Sequence, residues 1–156
     1  MTLRSLILAL PVLIAAQPAS AAEPDLARSQ AFIECRIAWD GSPPPLPEVA
    51  REKKPAALFV HYLPPAGVTA YGLEPRLIYT TVAPNGERHR NTGVQGKVAD
   101  IAETIRVALG AGPLDVETKF ESRIVTNPKA VAGAPRHIWV VDEGDGLVSI
   151  SCQDAR

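Results

Sequence analysis

The sequence predicts an α+β domain: a mostly antiparallel sheet of about six strands, one main amphipathic helix packed on one face, and a single disulfide. Three observations carry that prediction. Strand-like runs follow one another along the chain, and the clearest helical period is at residues 97–109. The runs are separated by Gly, Pro and Asn-Gly turn residues, the punctuation of antiparallel hairpins. The two cysteines, Cys35 and Cys152, stand near opposite ends of the chain that remains once an N-terminal leader is set aside.

That leader is residues 1–22. Arg4 supplies a positive charge, Leu6 to Ala16 an apolar stretch, and Ala19 and Ala21 small residues at a cleavage point, the pattern of a secretory signal peptide. The apolar run falls short of the ~20 residues that cross a bilayer, and no later stretch is apolar enough to do so. The remaining residues, 23–156, suit one domain in the periplasm or outside the cell. There two cysteines favour the pairing Cys35–Cys152. Acidic and basic side chains nearly cancel, with 17 against 16 in the whole chain, which argues against nucleic acid and against an anionic membrane surface.

Taken in order, Ile33, Cys35, Ile37 and Trp39 alternate with more polar residues and predict a strand carrying Cys35 on its buried face. A helix from Asp25 is the rival, since Leu26, Ile33 and Ile37 also fit a helical stripe. Asp40 to Pro47 contains four prolines and reads as an extended connection, with Glu48 to Lys54 as one helical turn behind it. Ala57 to Leu63 is the next strand, stopped by Pro64-Pro65. Ala66 to Glu74 is loop, and Arg76 to Val82 is strongly β in composition. Pro84-Asn85-Gly86-Glu87 is a hairpin turn. The return strand, Arg88 to Thr92, is wholly polar and is therefore expected at an exposed edge.

In the helix, Val98, Ile101, Ala102, Ile105 and Leu109 share one face, and Gly110 stands where a left-handed cap belongs. Asp115 to Thr126 alternates Val116, Phe120 and Ile124 inward with Glu117, Lys119, Glu121 and Arg123 outward, as in one long half-buried strand. A loop from Asn127 to Pro135 leads to the terminal hairpin. Its arms are His137 to Val141 and Leu147 to Cys152, with Asp142-Glu143-Gly144-Asp145-Gly146 between them and Val148, Ile150 and Cys152 on one face.

Chemistry is sparse. His61, His89 and His137 show no ligand spacing, so no metal is expected, and no cofactor motif is present. The acidic turn of the last hairpin is shorter than a calcium loop. No Gly-x-Ser-x-Gly or phosphate-binding glycine loop occurs. Arg88, His89 and Arg90 are the most pointed surface candidates, able to grip a carboxylate or phosphate on a partner. The expected function is a non-catalytic module that binds a protein or a cell-envelope component. The alternatives are a small periplasmic hydrolase assembled from dispersed residues such as His61, His137 and Glu121, and an accessory subunit that lends a strand through Arg88 to Thr92.

Overall fold

The computed structural model describes residues 25–117 and 122–154. The leader, residues 1–22, lies outside the described residues, as do Lys119, Phe120 and Glu121 of the proposed long strand. The chain forms helix α1 (Leu26–Ile33), strands β1 (Glu48–Lys53), β2 (Leu58–Tyr62), β3 (Pro75–Val82) and β4 (Arg88–Gln95), and helix α2 (Val98–Leu109). Strands β5 (Asp115–Glu117), β6 (Ser122–Thr126), β7 (His137–Gly144) and β8 (Leu147–Asp154) follow. All eight strands belong to one antiparallel sheet in the order β1-β2-β3-β4-β8-β7-β6-β5. Each half of the chain is thus a helix followed by a four-stranded meander, and the halves meet where β4 pairs with β8.

The fold class, the antiparallel sheet and the disulfide agree with the sequence expectation; among the described residues eight strands and two helices replace about six and one. Four segments differ. Residues 26–33 are helix because Asp25 caps the first turn, its carboxylate accepting from the Arg28 amide at 3.0 Å, while Phe32 and Ile33 turn inward. The chain leaves that helix through Cys35, which takes φ 57°, so the alternation of Ile33 to Trp39 does not form a strand. Glu48 to Lys53 is an edge strand with every residue exposed; it owes its conformation to the β2 ladder and has no apolar face of its own.

Arg88 to Gln95 is not an edge but one of the two central strands, bonded to β3 on one side and β8 on the other. The stretch from Asp115 folds back on itself, with Asp115 opposite Ile124 and Glu117 opposite Ser122, so β5 and β6 are separate strands. Val116 is 55% exposed rather than inward.

Both helices cover the same face of the sheet. Ile101, Ala102, Ile105 and Leu109 of α2 join Val125, Ile138, Val140, Val148 and Ile150 in the core, and Phe32 and Ile33 of α1 join it over β4. Gly110 ends α2 at φ 62°, as its position foretold. The last hairpin turns on Asp145 and Gly146, both at positive φ, between the paired residues Gly144 and Leu147. Cys35 and Cys152 are bonded across a sequence separation of 117, with Cα atoms 6.3 Å apart.

Candidate functional site

The three surface candidates are consecutive on β4, so their side chains alternate between the two faces. Arg90 points to the helix side and is 2% exposed. Its guanidinium donates to both carboxylate oxygens of Asp154, at 2.6 and 2.8 Å, and to the carbonyls of Phe32 and Ile37 at 3.0 and 2.8 Å. Asp154 also accepts from the Trp39 amide at 3.2 Å. Burial pushes the Arg90 guanidinium down and the Asp154 carboxyl up, and the attraction between them opposes both shifts. Arg90 is therefore internal structure. Arg88 is half-buried, with its Cδ close to Gly41, and its charge helps to lower the Asp40 carboxyl, which the Ser42 hydrogen bonds depress first. His89 alone faces the opposite side, beside Glu87 at 3.4 Å. The three do not form one gripping surface.

The same alternation that takes Arg90 inward places a second set of residues on the face that neither helix covers. Cross-strand partners define three rows. Phe59, Thr81, His89 and Gln153 form the first. His61, Tyr79, Asn91, Ser151, Trp139 and Ile124 form the second, across six strands. Leu77, Gly93, Ser149 and Val141 form the third. Across β2, β3, β4, β8, β7 and β6 these rows hold no Asp, Glu, Lys or Arg, and the edge strands extend them with Glu52 opposite Phe59 and Asp115 opposite Ile124. The charges stand at the rim. Lys54 reaches over the Phe59 ring at 5.0 Å, and Glu87 flanks His89.

Aromatic rings group at both ends of the middle row. Tyr79 stacks on Phe59 with centroids 6.3 Å apart and lies 5.7 Å from the His61 ring. Trp139 stands 6.2 Å from His137. Burial raises the Tyr79 phenol, the charge of Glu143 adds to the rise, and the Ser149 hydroxyl offsets part of it. The space over Gly93 is taken by the side chains of Leu147 and Leu77, which a Cβ there would meet at 3.2 and 3.3 Å. Beyond Trp139, the residues Gly133 to Arg136 close a hollow of about 440 Å³ with His137 and Gln153.

The larger cavity, about 730 Å³, lies on the helix side at the start of α2, between Lys97, Arg123, Asp142 and Asp145. Its cationic and acidic side chains oppose each other, and the Asp142 carboxylate is held by the Gly144 amide at 2.9 Å. His61 and His137 are not brought together. They stand on β2 and β7, four strand spacings or about 19 Å apart. Glu121 lies outside the described residues. Among the described residues no cluster of three or more His, Cys, Asp or Glu could hold a metal ion, and no helix is long and apolar enough to cross a membrane.

No family model matches the chain, and no curated protein or solved structure matches it either.

Proposed function

We propose that this chain is an exported, non-catalytic binding module that engages a protein or cell-envelope partner through the helix-free face of its sheet. The observation that carries the reading is the patch of half-exposed Phe59, Tyr79 and Trp139 among neutral hydrogen-bonding side chains, with charged residues such as Glu52 and Lys54 at its rim. Cores of protein interfaces have that composition, depleted in charge and enriched in Tyr, Trp and Phe. Three further observations support the reading. The Cys35–Cys152 bridge suits an oxidising compartment. The separation of His61 from His137 leaves the hydrolase alternative without an assembled base. The central position of β4 removes the edge through which a strand could be lent.

The test is a photo-crosslinking residue placed at Tyr79 or Trp139, with Val107, exposed on α2, as the control position. Adducts from the sheet positions in cells that export the protein, and not from Val107, are the expected result. Adducts from Val107 alone, or equally from all positions, overturn the assignment of the face.

A further inference from the structure

We propose that the partner is a glycan of the cell envelope, and that the hollow beside Trp139 takes one of its sugar rings. The inference rests on the proposed function and names the partner's chemistry. At about 440 Å³ the hollow has the size of a small-ligand site. Trp139 and the buried Ala134 and Pro135 supply its apolar walls, and His137 and Gln153 its polar groups. The wall opposite the sheet is fixed before any ligand arrives. Gly133, at φ 80°, lies against Ala38, the Ala134 amide donates to the Val131 carbonyl at 3.0 Å, and the Asn127 amide donates to the Arg136 carbonyl at 2.7 Å.

The polar groups are left as a sugar would use them. The buried Trp39 donates its indole N–H to the Ser42 carbonyl at 2.7 Å, but among the described residues nothing accepts from the N–H of the half-exposed Trp139. Gln153 donates its amide N–H to Glu87 at 2.6 Å, which leaves the amide oxygen as an acceptor. The His137 Nδ1 shares a hydrogen bond with the Thr126 hydroxyl at 3.3 Å, which leaves Nε2. A pyranose ring offers an apolar C–H face to an indole and a rim of hydroxyls that both donate and accept. Of the charged residues that line the hollow, Asp154 is neutralised by Arg90 and Arg136 is exposed, so no buried charge calls for a counter-ion.

A peptide is the rival occupant, and the strand geometry disfavours it. Extended peptides are held by backbone hydrogen bonds to an open strand edge, and β7 is paired with β6 on one side and β8 on the other. The same face offers a second platform. Tyr79, stacked on Phe59, stands three strand spacings or about 14 Å from Trp139, with Asn91 and Ser151 between them. That span is longer than one sugar ring, so the ligand is an oligosaccharide or polymer whose rings reach both platforms.

The experiment titrates the disulfide-bonded protein with neutral chito- and cello-oligosaccharides, from the single sugar to the hexasaccharide, read by calorimetry and tryptophan fluorescence. Affinity is expected to rise about tenfold or more with length, as the second platform is engaged. Trp139→Ala weakens binding of every length about tenfold or more, and Tyr79→Ala weakens only that of the long oligosaccharides. His137→Ala, an exposed change, weakens binding about threefold and serves in place of Trp139→Ala should that variant not fold. Val107→Ala on α2 changes nothing, and circular dichroism establishes which variants fold. No binding at any length overturns the proposal, as does binding that neither Trp139→Ala nor His137→Ala weakens. Equal affinity for the single sugar and the hexasaccharide overturns the two-platform path. The two readings fail separately. Sheet-face adducts to a protein, with no saccharide bound, refute the glycan and leave the face as the binding surface. Adducts from Val107 alone refute the face itself.

Discussion

The buried pair of Arg90 and Asp154 allows the most direct test of how this fold is held. Their side chains are 2% and 1% exposed. Asp154→Asn leaves the guanidinium inside with its carbonyl partners but without a counter-charge, a change that costs about 3–5 kcal/mol. Arg90→Met strands the carboxylate and releases the carbonyls of Phe32 and Ile37, with a cost in the same range of about 3–5 kcal/mol. If the two losses were independent, the double variant Arg90→Met/Asp154→Asn would lose about 6–10 kcal/mol, as much as many small domains possess. They are not independent, because each single change leaves one uncompensated buried charge and the double change leaves none. The double variant should lose less than about 5 kcal/mol, a coupling of at least ~2 kcal/mol. Urea unfolding followed by circular dichroism, with the disulfide intact and the urea slopes compared, measures all three. Additivity within ~0.5 kcal/mol would refute the reasoning, since it would mean that the charges do not meet in the folded protein.

Two further outcomes follow from the same interior. Replacing both Cys35 and Cys152 by serine removes a cross-link spanning 117 residues, which in the chain-entropy model lowers stability by about 5 kcal/mol; the urea midpoint under non-reducing conditions reads the loss, and an unchanged midpoint sinks the argument. Burial raises all three phenols, Tyr62, Tyr71 and Tyr79, and most of all Tyr71, whose hydroxyl donates to the Glu34 carbonyl. A group raised on folding contributes stability below its unfolded value, here about 10, and that contribution is lost as the pH climbs toward the folded value. Phenolate absorbance should stay low through pH 10 and then rise together with loss of the folded signal, less steeply in Tyr71→Phe. Reversible titration near pH 10 with the fold intact would contradict it.

The parts of this structure that were legible in the sequence are those whose cause is local. The apolar stripe of α2, the glycine that ends it, the Asp-Gly turn of the last hairpin and the alternation of Val148, Ile150 and Cys152 each depend on residues within a few positions. What was not legible depends on partners far away. Arg88 to Thr92 looked like an edge because a polar strand ordinarily stays in water. It is central because Asp154, 64 residues on, neutralises Arg90, and the backbone of α1 accepts the rest of its protons. Ile33 to Trp39 satisfied helical and strand periods at once, and the decisive local sign was the Asp25 cap. The helix-free face was half visible. Alternation in β2, β3 and β7 separated two sets of side chains, but which set the helices would cover is a property of the assembled sheet.

The strand order reads the same from either edge, and this gives the open face a further meaning. β3 and β7 occupy equivalent places in the two halves, each one strand from the central pair. Tyr79 and Trp139 stand on those strands in the same row, opposite Asn91 and Ser151. About 14 Å separates the two strands, with the buried, neutral Asn91, Gly93 and Ser149 between them. The Arg90–Asp154 pair and the disulfide lie on the other side, where α1 ends over β4 and β8, while at one end of the open side Gln153 donates to the Glu87 carboxylate at 2.6 Å. A patch that straddles the seam works only while both halves are in register. Loosening the Arg90–Asp154 tie should therefore weaken association through Tyr79 and Trp139, although Arg90 and Asp154 themselves face away from it.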